Sequence, residues 1–224
     1  LDMLRLVGTI SNPSHIGSFV LASLLILVFF GEQWLPAAAA MQAYLIYRIL
    51  HVYLEITDVA LSAAGRPDIR FKADLLQLPL FIVGTWFSVW VWGTVLGVAI
   101  TLAAVRTFVG LIYLIASLPL THITFTDLWR TLWPSTLAAL LMGGLVYSLP
   151  LLGIIPPADL STPLGRTILT FVLLILSGVI FYFPLLYLLD PSGTKKTAYT
   201  VWHIILPEAL RGRLTNWWHR IRER

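Results

Sequence analysis

Four ionisable side chains fall at intervals of three, four and three residues in the stretch Arg48-Ile49-Leu50-His51-Val52-Tyr53-Leu54-Glu55-Ile56-Thr57-Asp58. On an α-helix they occupy an arc of roughly 80°. Tyr44 precedes the stripe and Ser62 continues it one turn on, inside an apolar run from about 37 to 64. An unpaired charge in hydrocarbon costs several kcal/mol, so such a stripe must face protein or water. A second cation, Arg106, sits near the middle of another apolar run. Its helical face carries Ala99, Ala103, Gly110 and Ser117, small residues that permit close packing or line a cavity.

Two readings of these charges stand side by side. In one, Arg48 or Arg106 pairs with Glu55 or Asp58 and locks helices together. In the other, the two arginines line a hydrated central cavity and attract an anionic substrate, because guanidinium offers a fork of donors that suits phosphate. Glu55 and Asp58 then pair the arginines in the empty cavity or bind a coupling cation or proton. His51 is the only histidine deep in an apolar run. It suits either a proton relay with a carboxylate or a hydrogen-bonded place in the core. Trp86, Trp90 and Trp92 read as packing and interface anchors.

Other chemistries find no residues. The chain has no cysteine, which excludes disulfides and thiolate metal sites. There is no HExxH, no GxSxG and no phosphate-cradling glycine loop. No metal or cofactor is expected. A membrane enzyme acting on lipid phosphates would gather acidic or histidine side chains at one membrane face. Here the charges are strung along one helix through the bilayer, which favours a transport path over catalysis.

The elements that must position these residues are long and apolar. Of 224 residues, 58% are hydrophobic and 12% charged, about half the charged share of a soluble domain. The expected fold is all-α and integral to a membrane. Six spans are expected at about 16–30, 37–64, 75–92, 98–118, 132–152 and 167–189, roughly enough for a hydrocarbon core of about 30 Å, with the first short at its N-terminal end. Asn12-Pro13-Ser14 reads as a breaker before the first span. Residues 68–74 read as a charged turn, and 119–131 as a polar connection.

Twelve of the fifteen Lys and Arg residues fall in the N-terminal segment, the 64–74 turn, the 119–131 connection and the tail. Only Arg166 falls in the opposite loops. This bias puts both ends of the chain in the cytoplasm, and the net charge of +4 reads as loop charge rather than nucleic-acid binding. Residues 1–190 form the membrane unit and 191–224 a basic tail. In the tail Tyr199, Trp202, Leu206, Leu210, Leu214, Trp217 and Ile221 recur at helical spacing, as in an amphipathic helix on an anionic inner leaflet. Pro207 is expected to split that helix. Residue 1 is Leu, and the chain is expected to be part of something longer.

In order along the chain come Phe30-Gly31-Glu32-Gln33-Trp34-Leu35-Pro36-Ala37, then Ala63-Ala64-Gly65-Arg66-Pro67, then Trp92-Gly93-Thr94-Val95-Leu96-Gly97-Val98-Ala99. Trp133-Pro134-Ser135-Thr136-Leu137-Ala138-Ala139-Leu140-Leu141-Met142 and Gly178-Val179-Ile180-Phe181-Tyr182 follow. Together they resemble the C-terminal half of a Wzx-like polysaccharide or O-antigen flippase of the multidrug/oligosaccharidyl-lipid/polysaccharide exporter superfamily. The resemblance covers nearly all of 1–190 and rests on order and spacing. It implies two lobes of about six helices around a central cavity that works by alternating access in a bacterial inner membrane. The implied substrate is a polyprenyl-pyrophosphate-linked oligosaccharide, with Arg48 and Arg106 as candidates for its anionic groups. Six spans make one lobe, so an N-terminal lobe or a partner chain would supply the rest. A peptidoglycan-precursor flippase, a drug/cation antiporter, an enzyme of cell-envelope assembly and a non-transporting scaffold subunit are the other readings.

Overall fold

The computed structural model describes residues 2–121, 124–156 and 162–205, apart from the side chains of 50, 55, 56, 58–60, 121, 125 and 201–205. Among them every regular element is a helix. The order is α1 (Asp2–Val20), α2 (Ala22–Phe29), a short 3-10 turn (Glu32–Ala37), α3 (Ala38–Ala63), α4 (Pro67–Trp92), α5 (Val95–Thr121), α6 (Phe125–Leu151), α7 (Leu164–Leu189) and α8 (Pro191–Ile205).

Four of these, α4 to α7, are long and apolar enough to cross a membrane. The pair α1–α2 passes the same test together but is bent by 78° where the two meet. By length and apolarity, four spans, or five with the bent pair, stand against the six expected. The helix over 37–64 is present as α3, and its 26 residues would reach about 39 Å at 1.5 Å each. Its polar stripe keeps it below the apolarity of the other four.

Three boundary expectations are overturned. Asn12-Pro13-Ser14 lies inside α1 rather than before it. A proline within a helix removes one N–H and frees the carbonyl four residues back, here that of Thr9. The Tyr182 hydroxyl on α7 donates to that carbonyl at 2.9 Å, so the helix continues. Residues 68–74 are helical, because Pro67 at the first position of α4 costs no hydrogen bond there. The 119–131 connection shrinks to a few residues. Pro119 is carried within α5, and α6 starts at Phe125 behind a capping box in which Thr124 and Asp127 exchange side-chain-to-backbone hydrogen bonds.

The turns follow glycine. Gly65 and Gly93 have φ of 73° and 58°, the left-handed region that ends α3 and α4. Asp190 is the break between α7 and α8. It is non-helical, and its carboxylate accepts from the Gly193 N–H at 2.8 Å. The amphipathic tail is helical through Ile205; the rest, with Pro207, lies outside the described residues.

The helices pack as two groups. α3, α4 and α5 form one, with α3 on α5 the most extensive pairing among the described residues. α1, α6 and α7 form the other, and α1 also packs on α3 and joins the groups. The second group holds the larger apolar core, including Ile16, Ala138, Ala139, Met142, Val146 and Leu174. A smaller core of Leu61, Ala73, Val109 and Tyr113 fills the first group.

Candidate functional site

The site is built where α3 meets α5. The two backbones approach at Gly110, where a Cβ would come within 2.5 Å of the Leu54 Cδ1. Only glycine allows that spacing, as at close helix pairs generally. Arg106 lies one turn before Gly110, and helical side chains lean toward the N-terminus of their helix. The guanidinium is thereby carried back toward the level of Tyr47 and Arg48 on α3.

Tyr47 is the centre of the constellation. Its ring lies 4.7 Å from the His51 ring and 5.5 Å from that of Tyr44. Its hydroxyl is buried without a hydrogen bond of normal geometry among the described residues, yet Arg106 and Arg48 both act on it electrostatically. Arg48 approaches His51 at 3.5 Å, too long for a strong hydrogen bond. His51 itself is buried. The two arginines read from different apolar runs thus meet around one tyrosine.

Arg106 is exposed, whereas Arg48 is half-buried. The Arg106 guanidinium also lies 5.6 Å from the centre of the Phe81 ring on α4, a cation–π contact. Three helices therefore hold one half-open cationic patch. Glu55 and Asp58 are on the same helix as Arg48 and His51, but their side chains lie outside the described residues. Chemically, the patch offers guanidinium donors, an aromatic hydroxyl and an imidazole. That set binds anions. Among the described residues no group of three or more His, Asp and Glu side chains could hold a metal ion.

Tyr47 and Phe81 are absent from the sequence reading. Tyr47 was open to detection, since it stands four residues before His51, on the same helical face. Phe81 was not, because its contact depends on how α4 packs on α5. Trp86 and Trp90 are exposed on α4, as interface anchors would be.

A second polar cluster is neutral. Asn12 on α1 is fully buried and donates to Ser135 Oγ at 3.1 Å and Thr136 Oγ1 at 3.0 Å on α6. Its carbonyl oxygen has no partner among the described residues. With the Tyr182–Thr9 bond it fastens α1 to α6 and α7. Compared with known protein families, with characterised proteins and with solved structures, the chain matches none.

Proposed function

We propose that the chain is a membrane lobe of a flippase that moves a polyprenyl-pyrophosphate-linked oligosaccharide across a bacterial plasma membrane by alternating access. Arg48 and Arg106 bind the anionic head, with Tyr47 and His51 beside them. The observation that carries this reading is the gathering of Arg48, Tyr47, His51 and Arg106 at the α3–α5 contact, with Arg106 exposed. An exposed guanidinium near the middle of a 27-residue apolar helix has no stable place against lipid. It needs a water-filled cavity or another protein surface. A facing lobe, from the same protein or a partner chain, supplies both.

The cationic character favours a phosphate-bearing substrate over a drug cation, which would select acidic and apolar linings. A peptidoglycan precursor carries the same pyrophosphate and is the nearest other substrate. The scaffold reading asks Arg106 to serve packing alone.

Reconstitution separates these readings. Vesicles would carry a fluorescent polyprenyl-pyrophosphate oligosaccharide, with its leaflet followed by quenching and its chemistry by mass spectrometry. A flippase changes only the leaflet, an enzyme changes the lipid, and a scaffold does neither. Losing a hydrogen bond to a charged group costs about 1.5–3 kcal/mol, so Arg106→Gln should slow transport about 10- to 100-fold with normal folding. Wild-type transport in a well-folded R106Q variant would reject the role given to Arg106. The chain has no native cysteine, so single cysteines at 48 and 106 can also be tested with aqueous and lipid-phase thiol probes. Preferential labelling from the lipid phase would sink the cavity.

A further inference from the structure

A second feature of the fold is independent of the arginine patch. A cavity of about 940 Å³ opens between α1, α2, α6, α7 and α8. It runs along α7 from Phe171 to Leu186. Fifteen steps of 1.5 Å make that run about 22 Å. Its walls are apolar for most of this length, with Leu25, Met142, Ile175 and Val179 among them. Hydroxyls gather toward one end, from Thr9 and Ser14 on α1 and from Thr194 and Thr197 on α8.

That end adjoins a small polar notch. Groove and notch share Thr9, Leu186 and Thr194, and the notch is completed by Arg5, Asp190 and Gly193 among others. The Arg5 guanidinium is incompletely matched. It lies 3.7 Å from the Asp190 carboxylate and 3.5 Å from that of Asp2, both longer than a charge-assisted hydrogen bond. Its Nε is buried and makes no hydrogen bond among the described residues. Asp190 is already engaged, accepting from the Gly193 N–H and the Ser192 hydroxyl. Exposed Lys195 and Lys196 follow on α8. Arg5, Lys195 and Lys196 against Asp2 and Asp190 leave this end with a net positive charge.

We propose that this groove is a binding site for one anionic phospholipid of the leaflet on which α8 rests. One acyl chain lies between α1 and α7, and the phosphate sits at the mouth of the groove beside the partly exposed Arg5 guanidinium. Length supports a leaflet lipid. A bilayer is about 40–45 Å thick with its headgroups, so one leaflet takes about 20–22 Å, the length of the groove. Charge supports an anionic headgroup. The guanidinium has donors to spare, and the lysines of α8 lie where a membrane-surface helix meets phosphate. Ile175, Val179 and Phe183 in the groove wall are exposed, as entry from a bilayer requires.

The test uses the full chain purified in a mild detergent. Native mass spectrometry would count retained lipid after exchange with phosphatidylglycerol or phosphatidylcholine of identical chains. Phosphatidylglycerol should remain bound at one per chain and exceed phosphatidylcholine about tenfold. Arg5→Gln should erase that preference while leaving chain binding. Val179→Trp fills the groove from its exposed side, where the fold can bear it, and should abolish retention of both lipids. Equal retention of the two lipids by the wild type, or undiminished retention in V179W, overturns the proposal. A mass of two chains that V179W splits would give the groove to a second copy and also overturn it. Circular dichroism on each variant separates lost binding from lost fold. If R5Q unfolds, Arg5→Lys replaces it; Lys lacks the fork and should lower the preference without removing the charge.

Discussion

The hydrogen bond from Tyr182 to Thr9 allows a sharp test of how α1 survives its internal proline. Pro13 leaves the Thr9 carbonyl without its helical donor, and Tyr182, almost fully buried, supplies one at 2.9 Å. Tyr182→Phe removes the donor and keeps the ring. A buried acceptor left unpaired costs about 1–3 kcal/mol in general, and hydrogen bonds within membranes average about 0.6 with a ceiling near 1.7. We expect a loss of about 1 kcal/mol, which for a chain of this size lowers the melting temperature by about 2–4 °C. The informative experiment is a double-mutant cycle. Pro13→Ala restores an N–H aimed at the Thr9 carbonyl. In that background Tyr182→Phe should cost less than about half as much, giving a coupling of at least about 0.5 kcal/mol. Unfolding by SDS titration in mixed micelles, followed by far-ultraviolet circular dichroism, measures all four corners. Independent sites add within about 0.3–0.5 kcal/mol. If Tyr182→Phe costs the same in the wild type and in the Pro13→Ala background, the carbonyl freed by the proline is not what the tyrosine serves.

Three further outcomes follow from the packing. Gly110→Leu places a side chain into Leu54, where even a Cβ would stand at 2.5 Å. It should cost about 1–3 kcal/mol by overpacking and separate α3 from α5, read as a fall in cross-linking between cysteines placed on the two helices. Thr124→Ala removes the capping box of α6 and should cost about 1 kcal/mol in the same SDS titration, whereas Thr124→Ser should restore most of it. Asn12→Ala leaves Ser135 and Thr136 without their shared donor and should cost about 1–3 kcal/mol in the same titration.

The helical, membrane-compatible character of the chain is legible in its apolar runs, and so is the polar stripe of α3. Those features depend on local periodicity. Boundaries near prolines are not legible in the same way. Pro13 reads as a breaker because the residue that repairs its helix, Tyr182, is 169 positions away. The turn expected at 68–74 reads as one because it is charged, although a proline at the head of a helix promotes its start. The site is half legible for a similar reason. Arg48 and His51 share a helix and their spacing declares them. That Arg106 joins them depends on Gly110, whose missing side chain lets α5 approach Leu54. The bend at the α1–α2 junction has no proline or glycine at the break itself, and we have no sequence account of it.

The polar contacts around Asn12 and those around Tyr47 differ in kind. Where α1 meets α6 and α7, the buried polar contacts among the described residues are neutral. Asn12 reaches Ser135 and Thr136, and Tyr182 reaches Thr9. Such bonds stabilise a fixed arrangement. Around Tyr47 the groups on α3 and α5 include charges, and Arg106 is exposed on one side. Arg48 lies 3.5 Å from His51, the Tyr47 hydroxyl lacks a normal hydrogen bond among the described residues, and Arg106 rests on an aromatic face with its charge exposed. A guanidinium held by a ring face retains N–H donors for an anion. Exposure on an apolar helix also means that the surface Arg106 faces is completed by water or protein. On the function proposed above, the exposed Arg106 guanidinium is where a phosphate-bearing substrate would be held.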